Sequence, residues 1–139
     1  IQLGYPGGEA ERELLKGRDR REILAETKAI ISATELRNHQ SQVESIYVAE
    51  PLLDYLQNLL EFSRLSSDFN GGLSPRSGLA ILHCAKAWAL LHGHEHVLPE
   101  DIQAVLPSVI GHRLKSTQET AVASEQSAAE SLIKQVPIP

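Results

Sequence analysis

Apolar residues recur along this chain at the three- and four-residue spacing of an α-helix, and the strict alternation typical of strands is rare. The clearest stretch is 49–65, where Leu52, Leu56, Leu59, Leu60 and Ser63 share one face and polar residues predominate on the other. This pattern is typical of an amphipathic helix that packs against a core.

The stretch 74–91 is predicted to be the central helix of the fold. Ser74 is a good N-cap residue, and Pro75 suits the first helical position. Apolar side chains such as Ile81 and Trp88 cover so much of the helix circumference that neighbouring elements must surround it.

Shorter helices are predicted on both sides of these two. Gly17 is expected to end the first helix, Thr34 is a candidate N-cap, and Pro99 begins a later helix that Pro107 should break or bend. Their predicted ranges are 9–16, 18–27, 34–45, 99–106 and 124–135, with a second short turn over 109–114 and a mobile loop over 115–123. The pattern therefore predicts an all-α fold, a small bundle of about six helices in one domain over 1–139, with a short extended N-terminal segment.

The composition fits one folded domain and limits its partners. The chain has 139 residues, of which 42% are hydrophobic and 22% are charged, which is enough apolar material for a core. The net charge of −5 argues against a sequence-independent grip on nucleic acid, which needs a basic face. The longest apolar run, 79–91, is too short to span a bilayer. We therefore expect no nucleic-acid partner and no direct membrane insertion.

Cysteine and methionine usage bear on the origin of the chain. Cys84 is the one cysteine, so no intrachain disulfide can form, which fits a reducing compartment such as the cytoplasm. Because Cys84 lies in an apolar helical stretch, we expect it to be a small buried core residue. The chain begins with Ile1 and contains no methionine, and we expect it to be part of a longer protein.

Arg76 stands out as an unusual residue for its predicted position. It lies in the first turn of the 74–91 helix, where the helix dipole is already positive and a cation costs about 0.3–1 kcal/mol. Helix N–H groups and a guanidinium can converge on phosphate oxygens, which would explain an arginine there. The alternative is that Arg76 points into solvent or pairs with Glu50 or Asp68.

Three histidines alternate in a short connector. On an extended backbone His92, His94 and His96 would face the same side, an arrangement that can hold zinc or nickel. Glu95 would face away, and no other carboxylate or thiolate completes a convincing ligand set. The interpretation as a solvated loop between helices is therefore preferred, and metal binding stays an open alternative.

Six segments together resemble the C-terminal lid domain of MoxR-family AAA+ ATPases. Each segment is short, but their order and spacing follow the family nearly from end to end. The segments are Ile1 to Pro6 with Glu9-Ala10-Glu11, Val43 to Val48 leading into Asp54-Tyr55-Leu56, Ser74-Pro75-Arg76, Val97 to Ile102, His112-Arg113-Leu114, and Val136 to Pro139.

The resemblance implies a role for the arginine of the third segment. In that family the Ser-Pro-Arg arginine is the sensor-two residue, which reaches from the lid to the γ-phosphate of ATP in an adjoining core domain. By resemblance this role falls on Arg76, and Pro75 and Leu79 would lie near the edge of the nucleotide. Residues 1–6 would then be the link from the ATPase core.

Two departures from the family pattern lie close to these segments. Ser77-Gly78 follows the arginine where the family often has alanine, and Gly78 costs about 1 kcal/mol of helix stability relative to alanine. Leu98 replaces the expected serine or threonine cap before Pro99. Neither departure changes the sensor residue itself.

The sequence contains no Gly-rich phosphate loop with Gly-Lys-Ser/Thr and no Asp-Glu pair after an apolar strand. We therefore expect this fragment neither to hydrolyse ATP nor to bind a cofactor by itself. By resemblance, ATP and Mg²⁺ belong to the intact protein, a chaperone-like maturation factor. Its expected partners are its own core domain, neighbouring subunits of a hexameric ring and an unidentified client protein.

Two other classes of function stay open. The first is a free-standing helical module that binds a partner protein through an apolar groove and has no nucleotide role. The second, a helix-turn-helix DNA-binding protein, fits the acidic charge poorly. The lid hypothesis predicts an ATPase core upstream of Ile1, whereas the module hypothesis predicts a natural protein that begins there.

Overall fold

The structure is a computed structural model that describes residues 4–111, 113–117 and 125–138. These residues form seven helices and one small sheet, which confirms the expected helical fold and adds one helix to the expected number. The elements in chain order are α1 (Gly8–Lys16), α2 (Arg20–Glu26), α3 (Ala33–Ser45), α4 (Glu50–Leu65), β1 (Phe69–Asn70), α5 (Pro75–Leu91), α6 (Pro99–Ile110), β2 (Lys115–Ser116) and α7 (Glu125–Gln135).

The chain divides into two units, Ile1–Arg37 and Asn38–Pro139. Every described side chain of the first unit is exposed. Its strongest ion pair joins Arg18 Nη2 to Glu26 Oε1 at 2.6 Å. The hydrogen bonds that Arg18 donates to the carboxylates of Glu26 and then Glu22 raise the pKa of Arg18. The prediction of a single domain over 1–139 stays a prediction.

Local side-chain caps set the starts of the early helices. Asp19 Oδ1 accepts a hydrogen bond from the amide of Arg21 at 2.9 Å and caps α2. At α3 the cap is Ser32, because its Oγ accepts from the amide of Glu35 while Glu35 accepts from the amide of Ser32. This reciprocal pair is a capping box. The prediction of Thr34 as the cap was therefore wrong by two residues.

The core of the second unit lies among its four long helices. Helix α5 packs against α4 and α6, and α7 packs against α6 and α4. Tyr55 is 1% exposed, and its hydroxyl accepts a hydrogen bond from Gln103 Nε2 at 3.1 Å, so α4 and α6 share a polar contact inside an apolar setting. The most deeply buried apolar residues are Tyr55, Leu59, Ile81, Ala85, Ala89, Ile102, Leu106, Ile110, Leu114, Ala128, Ala129 and Leu132.

Pro107 does not end α6, contrary to the sequence prediction. The helix runs on to Ile110, and the amide of Gly111 bonds to the Pro107 carbonyl at 3.0 Å. Proline removes one helical N–H and crowds the preceding turn. Leu106 and Ile110 are both fully buried, and this burial on either side of the proline offsets the lost bond.

A short antiparallel sheet joins the connection between α4 and α5 to the start of the predicted 115–123 loop. Phe69 of β1 pairs with Ser116 of β2, and Asn70 pairs with Lys115. Phe69 is buried and meets Phe62 edge to face, with ring centroids 6.5 Å apart. The predicted loop over 115–123 therefore begins with a strand, and its residues 118–123 lie outside the described part.

The N-terminal segment is described only from Gly4. Residues 4–7 are exposed and have no regular structure, and the first three residues of the extended segment predicted over 1–5 lie outside the described residues. Within the described part of the chain, no helix combines the length and apolar character that a bilayer crossing requires.

Candidate functional site

The sequence pattern and the structure agree on how α5 begins. Ser74 is extended and its Oγ accepts a hydrogen bond from the amide of Ser77 at 3.2 Å, and Pro75 takes the first helical position. No acidic residue lies in the first turn of this helix. The turn therefore keeps the positive end of the helix dipole uncompensated next to Arg76.

Arg76 is exposed in that first turn. Within the described residues its guanidinium has no hydrogen bond and no ion pair. The alternative pairings with Glu50 and Asp68 are therefore not formed in the described structure, whereas the alternative that Arg76 points into solvent agrees with its exposure. A free guanidinium beside a positive helix end is an arrangement that attracts an anion.

Arg76 lines an open groove of about 540 Å³ along α5. Lys86 Nζ donates a hydrogen bond to the carbonyl of Glu44 at 3.1 Å, so α3 and α5 meet at this groove. Leu79 is 70% exposed beside Arg76, and Pro75 is exposed at the start of the same helix. The groove thus combines basic and apolar side chains, and its lining residues are Glu44, Arg76, Leu79, Ala80, Leu82, His83 and Lys86.

Two residues of α4 hold the loop that precedes α5, and sequence reasoning missed this role for both. Ser63 is 1% exposed, and its Oγ accepts a hydrogen bond from the amide of Leu73 at 3.0 Å. Arg64 Nε donates to the carbonyl of Leu73 at 2.8 Å. Ser63 and Arg64 therefore bind both main-chain polar groups of one loop residue.

The glycines of this region are explained by close packing. A Cβ on Gly72 would lie 2.3 Å from Arg64 Cγ and 2.6 Å from Arg64 Cα. A Cβ on Gly78 would lie 2.7 Å from Leu60 Cδ1. Gly78 departs from the pattern of the family that the sequence resembles. It lowers the helix propensity of α5, but its lack of a side chain allows α5 to approach α4 closely. Gly71 has a φ of +81°, a conformation that glycine adopts readily.

Arg113 contributes a second guanidinium at the start of α5. Its Nη1 donates a hydrogen bond to Ser77 Oγ at 3.4 Å, and Ser77 is 3% exposed. The chain after α6 is thereby tied to the first turn of α5. His112, which precedes Arg113 in the same motif, lies outside the described residues.

Cys84 is exposed, so the prediction of a buried core residue was wrong. Along α5 it points away from the stripe formed by Ile81, Ala85 and Ala89, which are fully buried. The buried face of this helix cannot be predicted from its sequence pattern, because apolar residues such as Leu79 and Leu91 also occur on the exposed side.

The alternating, one-sided arrangement predicted for the three histidines is not formed, although the rings of His92 and His94 lie 6.3 Å apart between centroids. His92 ends α5 and stacks on Trp88 with ring centroids 4.5 Å apart. His94 Nδ1 lies 3.3 Å from Asp101 Oδ2. Gly93, with φ of +77°, breaks the extended geometry on which the alternating arrangement depended. Among the described residues, no cluster of three or more His, Cys, Asp or Glu side chains has the arrangement of a metal site.

Comparison with known proteins identifies this helical unit. The family model of the AAA lid domain matches residues 61–135, more than half of the chain, and includes both the loop held by α4 and the Arg76 helix. The chain belongs to the AAA lid domain family. Its relatives confirm the resemblance to MoxR proteins, and the lid domain described here is of the MoxR type.

Three similar proteins show how far the match extends. The lid domain is 24% identical to the uncharacterized protein YeaC of Bacillus subtilis over 98% of this chain and 42% of that protein. It is 32% identical to chaperone MoxR1 of Mycobacterium tuberculosis, over 91% of this chain and 35% of MoxR1. The crystal structure of a Cytophaga hutchinsonii protein assigned as an ATPase has the same fold, with a TM-score of 0.79 and 23% identity, over 100% of this chain and 46% of that one. The lid domain thus spans less than half the length of these proteins.

Proposed function

We propose that this chain is the nucleotide-sensing lid of a MoxR-type AAA+ ATPase and that Arg76 contacts the terminal phosphate of ATP held by a separate core domain. The observation that carries the proposal is the exposed Arg76 guanidinium, which has no partner within the described residues. The lid-domain family and the MoxR relatives support the general assignment.

The physical argument concerns the charge balance at the start of α5. A cation in the first turn opposes the helix dipole at a cost of about 0.3–1 kcal/mol. An incoming phosphate reverses that balance, because both the guanidinium and the helix end attract it. Arginine binds phosphate oxygens through two parallel N–H donors, which fixes direction as well as charge. Arg76 would therefore bind a terminal phosphate only when the phosphate lies in the right place and orientation. Loss of that phosphate on hydrolysis would release the lid.

The surface around Arg76 suits contact with a second domain. Leu79 is 70% exposed next to the arginine, and Pro75 is exposed one residue before it. Apolar side chains at such a place gain about 25 cal/mol for each square ångström that a partner covers. We propose that the nucleotide edge and the core domain cover Pro75 and Leu79 when the lid closes.

ATP, Mg²⁺ and the groups that act on them are assigned by this proposal to the core domain. Phosphoryl transfer needs a phosphate-binding loop and a metal site, so the lid supplies a sensing contact rather than the chemistry. The parent protein would act in the cytoplasm as a hexameric ring with chaperone-like activity on a client protein. Hydrolysis would then move the lid against the core and the neighbouring subunits.

The test is the Arg76→Ala substitution in the full-length parent protein. Removing one preorganised donor to developing negative charge typically lowers turnover by about 10²-fold or more. Steady-state phosphate release should fall by that factor, while the circular dichroism spectrum stays unchanged because Arg76 is exposed. Lys134→Met, which removes an exposed cation from α7, serves as the control. Unchanged turnover in the Arg76 variant would remove the assigned role.

A further inference from the structure

We infer that Ser63 and Arg64, in the last turn of α4, are positioning residues that hold the backbone from which Arg76 extends. The inference rests on the proposed role of Arg76. According to this inference, the end of α4 determines where the Arg76 guanidinium lies. Of the two residues, Arg64 can be substituted without disturbing the core.

Both main-chain polar groups of Leu73 are held by hydrogen bonds with α4. Its amide donates to the buried Ser63 Oγ at 3.0 Å, and its carbonyl accepts from Arg64 Nε at 2.8 Å. The Leu73 side chain is 2% exposed and belongs to the core. Leu73 is therefore fixed at its side chain, its N–H and its carbonyl, only three residues before Arg76.

Close packing against α4 also restrains the chain on both sides of Arg76. The Gly72 backbone lies so close to α4 that a Cβ there would approach Arg64 Cα to 2.6 Å. On the other side of the cap, Gly78 packs against Leu60. The stretch 72–78 is thus pressed against the last two turns of α4 at both of its ends, and Arg76 lies between these contacts.

Because Arg64 is exposed, a role in positioning Arg76 can be separated experimentally from a role in stabilising the core. Arg64 is exposed, whereas α4 is anchored to the core by buried residues such as Tyr55 and Leu59. Loss of the Arg64 guanidinium would leave these anchors in place but free the Leu73 carbonyl. A misplacement of about 1 Å in a group that acts on the reacting phosphate can cost about 10²-fold in rate, so even partial loosening would be measurable.

The experiment uses the full-length parent protein with the variants Arg64→Met, Arg76→Ala and the double substitution. Methionine keeps the Cβ and Cγ that contact Gly72 and removes the donor to the Leu73 carbonyl. The kcat for ATP hydrolysis of Arg64→Met should fall about tenfold, with a smaller change in KM for ATP. The double variant should be no slower than Arg76→Ala alone, because residues that act through one group are not additive. Lys134→Met is again the control and should retain the parent rate.

The outcomes separate this inference from the proposed function. If Arg76→Ala is slow but Arg64→Met is unchanged, the positioning role is refuted and the sensing role stands. The positioning role is also refuted if the Arg64→Met defect persists in full in the Arg76→Ala background. If Arg76→Ala has parent activity, the sensing role fails and the positioning inference fails with it. A tenfold defect in Arg64→Met that disappears in the Arg76→Ala background supports both.

Discussion

Ser63 offers a quantitative test of the contact between α4 and the loop. It is 1% exposed, its Oγ accepts from the Leu73 amide at 3.0 Å, and it donates to the Leu60 carbonyl at 2.6 Å. Substitution by alanine leaves the buried Leu73 amide without an acceptor, which costs about 1–3 kcal/mol. The Leu60 carbonyl loses little, since α4 supplies it with a helical donor.

The expected loss is a large part of the stability of a domain of this size. For a unit of roughly a hundred residues each kcal/mol lowers Tm by about 4–8 °C, so Ser63→Ala should lower it by about 5–20 °C. The measurement is thermal and urea unfolding of the 139-residue chain, followed by circular dichroism at the helix band. The slope of the urea transition should stay unchanged if stability alone is affected.

Ser45 provides a matched control for this substitution. Its Oγ also donates to the carbonyl three residues earlier, Gln42, at 2.7 Å, but Ser45 is exposed. Both serines lie in the last turn of a helix, and an exposed substitution of this kind should keep Ser45→Ala within about 0.5 kcal/mol of the parent. If Ser63→Ala destabilises the chain no more than Ser45→Ala does, the buried hydrogen bond to Leu73 is not the source of stability argued here.

Two further predictions test the corrections made by the structure. Pro107→Ala should raise the free energy of unfolding by about 1–3 kcal/mol, because alanine restores an N–H for the Gln103 carbonyl inside α6; a loss of stability in urea unfolding would contradict the helical path described. Cys84 is exposed, so an aromatic disulfide reagent should modify one thiol per folded chain without denaturant. Labelling that begins only upon unfolding would show that this face of α5 is covered.

Much of the helical fold can be predicted from the sequence because its signals are local. Pro75, Pro99 and Ser74 mark helix starts through their own backbone preferences, and the observed helices begin at or next to them. The apolar periodicity of α4 predicts its buried face through Leu52, Leu56 and Leu59. The prediction that Pro107 breaks the helix was wrong, since the burial of Leu106 and Ile110 against other elements outweighs a local preference that normally ends a helix.

In the candidate site, too, some features can be predicted from local sequence and others cannot. The sequence alone singles out Arg76, because a cation at a positive helix end is locally unfavourable. A glycine pair such as Gly71-Gly72 does not by itself reveal which element packs against it. The roles of Ser63 and Arg64 depend on contacts nine and ten residues away, and no periodicity encodes such contacts.

The starts of α5 and α6, the apolar face of α4 and the unusual position of Arg76 were therefore determined by the sequence, through the preferences of neighbouring residues. The tertiary structure decided the exposure of Cys84, the contacts of His92 and His94, the continuation of α6 through Pro107 and the hydrogen bonds between α4 and Leu73. The physical reason is that burial and close approach are properties of pairs of elements. A sequence specifies each element locally, whereas the free energy of packing them together selects which face is covered and which backbone groups find a partner.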